Sequence, residues 1–360
     1  MAASKTDVAA AQQATHPIEV PSALWCRWQA VKGTNPQHLV IPDVDLGNKW
    51  ILLTGGNSGI GFEAALQFVK WGANIVLGCR PNPPSHEMHP DAAVQILKDA
   101  ASAAGHQNSI VEWWACDMSN LKSVEAFGKR WLETGRSLDI LANNAGIARA
   151  SVNSKPVYTT DGFEIVHQVN FTSHVLLTMT LLPSLAKAPQ PRIICTTSCM
   201  QYFGTFDLSN ANSGKNAYAH NKLYFQTWLT ELQARMAKYD KYKHVSIQGV
   251  HPGFVKTNIW VLPLSVSAQK SAPEEEKVSW IAGVLKFLLN HYAIDSQQGS
   301  LAITHAATAV DAVGGKYNNR IWNAVPMPQT KDPGCRRKVW EFVNEELKLE
   351  EKGLLAELGR

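Results

Sequence analysis

From Trp50 onward the chain alternates short apolar runs with longer amphipathic ones, and that alternation constrains its fold more than anything else in the sequence. Trp50 to Leu53 has the length and content of a buried strand, and a helix follows from about Ile60 to Lys70. Further strands are expected at Asn74 to Gly78, Val111 to Cys116 and Leu138 to Ala142. A long helix near Phe163 to Ala186 leads to a fifth strand at Arg192 to Thr196. The run after Tyr218, with Phe225, Trp228, Leu229, Leu232 and Met236 at spacings of three and four, predicts another helix. A sixth strand is expected at Val245 to Val250. Repeated β-α-β units of this kind give an α/β fold, a doubly wound parallel sheet with helices on both faces. Right-handed crossovers then bring the carboxyl ends of the strands to one edge, where such sheets bind ligands.

No internal repeat or low-complexity linker divides this pattern. Residues 45–330 are expected to form one Rossmann-like domain, preceded by an extension over 1–44 that is partly disordered and followed by a helical tail over 331–360. In the extension, Ser22 to Lys32 sets Leu24, Trp25, Trp28 and Val31 on one side of a short helix. That side fits packing on the main domain or, alternatively, contact with a membrane surface.

Composition removes several function classes. A net charge of +4 without a long single-sign block gives no footprint for nucleic acid. The six cysteines show no C-x-x-C spacing and the twelve histidines no H-E-x-x-H, so neither a disulfide framework nor a metal site is expected. Reduced cysteines fit a cytoplasmic protein. Met1 to Val20 lacks the apolar centre of a signal peptide, and no run reaches the length of a transmembrane helix.

Two features carry chemistry. After the first strand comes Thr54-Gly55-Gly56-Asn57-Ser58-Gly59-Ile60-Gly61. Glycines permit a tight turn and close approach of a phosphate, and the next helix directs its free N–H groups there. A glycine-rich turn can also be only a turn, but joining the first buried strand to a helix is the context a nucleotide site requires. The second feature is Tyr218 and Lys222, four residues apart and so on one helix face, about 6 Å apart along the axis. An ammonium beside a phenol favours the phenolate, which makes Tyr218 a candidate general acid or base. Spacing alone does not single it out, since Tyr239 and Lys243 repeat it in a charged run.

The spacing Gly-x3-Gly-x-Gly, neither G-x-G-x-x-G nor a P-loop, resembles the turn of the short-chain dehydrogenase/reductase family. The resemblance runs from about Asp45 to Trp322. Through Gln298-Gly299-Ser300 and Gly314-Gly315-Lys316-Tyr317 it is similar to the retinol-dehydrogenase and WW-domain-oxidoreductase branch. It implies that Thr54, Gly55, Asn57, Ser58, Gly59, Ile60 and Gly61 bind the cofactor. Asp117 would take the adenine amino group, and Asn143, Ala145 and Gly146 of Asn143-Asn144-Ala145-Gly146 would border the cofactor. Pro252, Gly253, Val255 and Thr257 of the family's P-G motif would lie at the nicotinamide. At the end of the second strand stands Arg80, with no carboxylate until Glu87. A guanidinium there suits a 2′-phosphate, so NADP(H) is the expected cofactor.

The resemblance also supplies a catalytic set, Asn170, Ser198, Tyr218 and Lys222. Tyr218 would exchange a proton with the substrate oxygen and Ser198 would steady the developing alkoxide. Lys222 would hold the nicotinamide ribose and lower the tyrosine pKa, and Asn170 would hold a water relayed to the lysine. The interval from Ser198 to Tyr218 is longer than is common in the family, and Thr196, Thr197 and His251 differ from its commoner residues. Three stretches would wall the substrate pocket: Ala148 to Val157, Cys199 to Gly214 and Asn258 to Lys270. Their Tyr202, Phe203, Phe206, Trp260, Leu262 and Leu264 fit an apolar carbonyl or alcohol such as a steroid, retinoid, terpenoid or polyketide-like ketone, or simply pack a lid. The helices at 163–186 and 218–238 form the dimer interface in many relatives, which makes a homodimer a possible assembly. A catalytically silent NADP-binding scaffold is the alternative function.

Overall fold

The computed structural model describes residues 20–148, 155–256, 293–310, 312–355 and 358–359. Eight strands form one sheet: β1 (Trp50–Thr54), β2 (Asn74–Cys79), β3 (Val111–Ala115), β4 (Ile140–Asn143), β5 (Arg192–Thr196), β6 (Ser246–His251), β7 (Tyr317–Asn319) and β8 (Trp322–Ala324). Their order is β3-β2-β1-β4-β5-β6-β7-β8. All neighbours are parallel except β7 and β8, which pair antiparallel. The strand order reverses between β1 and β4, and a crevice opens at the carboxyl ends of strands at such a switch point.

Successive side chains of a strand point to opposite faces, and the apolar runs exploit both. Leu52 and Val76 enter a large core with Trp131, Phe171 and Trp228. Ile51, Leu53, Ile75 and Leu77 enter a second core on the other face with Phe68, Leu97 and Ile303. All six expected strands form, with ends displaced by a residue or two. The short pair β7 and β8 carries too little apolar pattern to be anticipated.

The helices in chain order are α1 (Ala23–Lys32), α2 (Gly59–Lys70), α3 (Pro90–Ala103), α4 (Leu121–Glu133), α5 (Ser173–Leu185), α6 (Ala217–Met236), α7 (Ser296–Thr308) and α8 (Pro333–Leu347). The long helix expected near 163–186 is broken: Ile165–His167 is α-helical, Gln168–Thr172 forms a π-turn, and α5 continues from Ser173. Every residue of α5 except Pro183 is buried within the single chain. It is packed by α4, while α8 lies along α6.

The helical tail joins the core. Val339, Trp340 and Val343 are fully buried in the same core as Trp228, Leu232 and Met236. At the other terminus α1 docks by Trp25, edge-on to Tyr202 at 5.7 Å, and by buried Cys26. Leu24 and Trp28 are exposed while Trp25 packs inward, so the four apolar residues do not form one buried side. Among the described residues no helix is long and apolar enough to cross a membrane.

Candidate active site

A cavity of about 900 Å³ runs along the carboxyl ends of β1, β2, β4, β5 and β6. One end is made mostly of backbone. Gly55 and Gly59 take φ of +68° and +54°, the left-handed region that glycine enters without cost. A Cβ on Gly61 would lie 2.3 Å from the Gly55 carbonyl oxygen, so the turn closes only with glycine there. Ser58 stands at the N-cap of α2 and makes no side-chain cap bond. The first N–H groups of α2 are thus left for a ligand, the donor set a pyrophosphate needs. Gly55, Asn57, Ser58, Gly59, Ile60 and Gly61 all line this end. The asparagine amide also donates to the Met88 carbonyl at 2.8 Å.

Two residues expected at the cofactor do other work. Thr54 is fully buried, and its Oγ1 accepts from the Asn144 and Ala145 N–H groups, both at 3.0 Å. Asn143 is buried as well and donates to Thr178 Oγ1 at 2.8 Å. Neither lines the cavity. Thr54 locks the ends of β1 and β4 together and Asn143 ties β4 to α5, and Asn144, Ala145 and Gly146 beyond them line the cavity instead. Asp117 also lines it, its carboxylate oriented by the Ser119 N–H at 2.9 Å and hydroxyl at 2.7 Å. Arg80 lines it too, but its Nη2 donates to Glu87 Oε1 at 2.7 Å. The loop after β2 thus returns a carboxylate to the guanidinium, which strand periodicity could not reveal.

At the other end Ser198, Tyr218 and Lys222 come together on one wall. Ser198 caps the 3-10 turn Cys199–Phe203, its Oγ accepting from the Met200 N–H at 3.1 Å. The Lys222 Nζ donates to the Thr196 carbonyl at 2.7 Å and lies 5.4 Å from the centroid of the Tyr218 ring. Burial lowers the lysine pKa to about 8. Burial also holds the Tyr218 phenol above its usual value, with a hydrogen bond from Ser198 working the other way. The expectation of a depressed phenol therefore fails for the protein by itself, because desolvation of the phenolate outweighs the Ser198 hydrogen bond. Tyr239 is exposed and Lys243 pairs with Asp240 at 2.8 Å, so the twin motif is a solvated helix end.

Asn170 sits in the π-turn and does not line the cavity. Its amide accepts from the Ile147 N–H at 2.8 Å and donates to the Ile147 carbonyl at 2.7 Å. Both ends of the amide are thus committed to fixing the loop after β4 beside Lys222's cavity. His251, Pro252, Gly253 and Val255 line the site, Gly253 at φ +95°. Thr257 lies outside the described residues, as do 258–270 and 149–154 of the expected pocket walls.

Of the aromatic wall, Phe203 reaches the cavity. Tyr202 instead donates to the Val325 carbonyl at 2.6 Å, and Phe206 packs edge-on against Tyr224. Trp260, Leu262 and Leu264 lie outside the described residues. A wall that sequence reasoning missed comes from α1 and its end: Arg27, Ala30, Val31 and Thr34 line the cavity. Their i, i+3, i+4, i+7 spacing is the mark of one helix face. The larger apolar residues Leu24 and Trp28 masked that signal.

The segment is pinned where it leaves α1. His251 Nε2 donates to the Gly33 carbonyl at 3.2 Å and Asn319 to that of Lys32 at 2.8 Å. Arg320, fully buried, donates to the Gln37 carbonyl and to Gln298 Oε1. Burial pushes the His251 pKa down to about 4, so the pin is neutral at physiological pH. The thiols in the site, Cys79, Cys116 and Cys199, are all pushed up by burial, Cys79 to about 12 and Cys199 to about 11, and stay protonated.

Comparison with known proteins agrees with this geometry. Human retinol dehydrogenase 14 is 29% identical over 311 residues, covering 82% of this chain and 84% of its own. The WW domain-containing oxidoreductase of Danio rerio is 28% identical over 314 residues, 83% of this chain and 68% of its own. L-sorbose reductase from Gluconobacter frateurii, solved with NADPH and L-sorbose, shares the fold at a TM-score of 0.56 and 18% identity, covering 77% of this chain and 96% of its own. The model of the short chain dehydrogenase family matches residues 49–262. The chain therefore belongs to the short-chain dehydrogenase family, oxidoreductases that use a nicotinamide cofactor.

Proposed function

We propose that this protein is an NADP(H)-dependent oxidoreductase that interconverts a carbonyl and an alcohol on an apolar small molecule, with Tyr218 as the general acid and base. The observation that carries the reading is that Ser198, Tyr218 and Lys222 share one cavity with the glycine turn. The glycines and uncapped α2 end would hold the pyrophosphate, and Lys222 the nicotinamide ribose. When bound, the nicotinamide supplies or accepts hydride at the substrate carbon. The protein's own task is the proton. Burial keeps the Tyr218 hydroxyl protonated, the form able to protonate a carbonyl oxygen as it becomes an alkoxide. Ser198, already hydrogen-bonded to that phenol, would steady the same oxygen.

For the cofactor, Arg80 supports NADP(H) over NAD(H), since β2 ends without a carboxylate. A Burkholderia cenocepacia short chain dehydrogenase with the same fold is likewise solved with NADP, at a TM-score of 0.55. For the substrate, Ala30, Val31, Ile165, Val169, Met200 and Phe203 give the reacting end an apolar wall. Relatives named for retinol are consistent with that class. The test is NADPH oxidation against steroid, retinal, aryl and polyketide-like carbonyls, with Tyr218→Phe as control. Loss of the acid should lower kcat by about 10²–10⁴-fold while cofactor affinity stays within about twofold. Equal turnover by the two proteins would sink the mechanism.

A further inference from the structure

Arg80 is the residue on which the choice of NADP(H) rests, yet its guanidinium already has an anionic partner. Arg80 Nη2 and Glu87 Oε1 are 2.7 Å apart, with both side chains largely shielded from solvent. His86 Nε2 lies 3.9 Å from the same carboxylate oxygen. Arg80, His86 and Glu87 all line the cavity. The pairing is built into the chain. Pro81, Pro83 and Pro84 restrict the loop after β2, the Glu87 N–H closes a turn onto the Pro84 carbonyl at 2.9 Å, and Asn57 holds the Met88 carbonyl against the glycine turn. Little entropy is left to lose in bringing the carboxylate to the guanidinium.

We propose that Glu87 is a cofactor-selecting residue, a resident anion on Arg80 with which a 2′-phosphate must compete. The proposal rests on the assignment of Arg80 to that phosphate. A carboxylate and a phosphate dianion on one guanidinium repel each other, so binding the phosphate requires Glu87 to give up Arg80 or both anions to share it at a cost. Glu87 thereby weakens NADP(H) selectively, since a 2′-hydroxyl carries no charge to oppose it. The net preference is then smaller than an unpaired arginine would give.

The test measures binding alone, by titration calorimetry of the full chain with 2′,5′-ADP and with 5′-ADP. Glu87→Gln keeps the side-chain volume and removes the charge, and its Tm is compared with wild type to confirm the fold. The expected result is a Kd for 2′,5′-ADP about tenfold lower than wild type, with 5′-ADP within about twofold. Glu87→Ala, which removes both charge and hydrogen bond, should move the same ratio in the same direction. Unchanged affinity for 2′,5′-ADP in both variants overturns the proposal. So does weaker 5′-ADP binding without a gain for 2′,5′-ADP, which would make Glu87 a ribose acceptor. The assignment of Arg80 is judged separately: if Arg80→Gln leaves the wild-type ratio of the two ligands unchanged, that assignment falls whatever Glu87 does.

Discussion

The two ends of the cavity are built by different means. The cofactor end is local in sequence: Gly55 to Gly61 supply a turn, a close approach and a helix start within one strand–helix unit. The reacting end is assembled across the chain. Ser198 comes from the end of β5, Tyr218 and Lys222 from α6, and a wall from α1. Arg320 just beyond β7, Asn319 at its end and His251 at the end of β6 hold that wall in place. Backbone shape defines the first end and side-chain pins define the second, so the first tolerates no added atom and the second no lost contact.

The most severe way to break the cofactor end is Gly61→Val. Its Cβ would meet the Gly55 carbonyl oxygen at 2.3 Å and Asn144 Nδ2 at 2.4 Å. Overpacking of this kind costs about 1–3 kcal/mol of stability. Misplacing the turn by about 1 Å should weaken function by about 10²-fold. Calorimetry with NADPH should therefore register a loss of that order, while Ser198, Tyr218 and Lys222 keep their arrangement. Wild-type affinity in this variant would mean the turn does not hold the phosphates.

The matching lesion at the reacting end is Arg320→Met, which keeps the apolar stem and removes the donors. It leaves the Gln37 carbonyl and Gln298 Oε1 without this partner in a buried setting, at a cost of about 2–3 kcal/mol. Urea unfolding should report the loss. Because the freed segment carries Ala30, Val31 and Thr34, substrate KM should rise several-fold, about 3–10-fold, and by more than any change in NADPH Kd. Equal effects on the two constants would erase the distinction between the ends.

This asymmetry also governs how much the sequence reveals. The sheet was legible because buried parallel strands are near-continuous apolar runs, and Ile51 to Leu53 or Ile75 to Leu77 cannot be mistaken for loop. Ser198, Tyr218 and Lys222 were singled out by the family resemblance, and the structure brings all three to one cavity. Thr54 and Asn143 sit in the right motifs, but only packing distinguishes a residue that touches the cavity from one that locks the strand behind it. Glu87 and α1 reach the site through loop paths and long-range hydrogen bonds. Periodicity carries no record of such contacts, because they depend on where Gln298 and Arg320 lie in space. The burial of Val339, Trp340 and Val343 is a similar case, since nothing local says whether an apolar stripe on a helix caps a surface or completes a core.

Lys222 links the two ends, and its titration offers the finest test. Burial lowers its pKa from 10.5 to about 8, so above pH 8 the folded protein loses the ammonium assigned to the nicotinamide ribose. NADPH Kd should be flat from pH 6.5 to 7.5 and then rise, by up to about tenfold at pH 9. Stability moves the other way. Between about pH 8 and 10.5 the unfolded chain holds more protons on this lysine than the folded one, so its contribution to stability grows as pH rises through that window. Below pH 8 both states are charged and the burial penalty is complete. Lys222→Arg should leave NADPH Kd flat across the range, since a guanidinium does not deprotonate there. A wild-type Kd that stays constant to pH 9.5 would remove Lys222 from the cofactor and return it to a structural role on the Thr196 carbonyl.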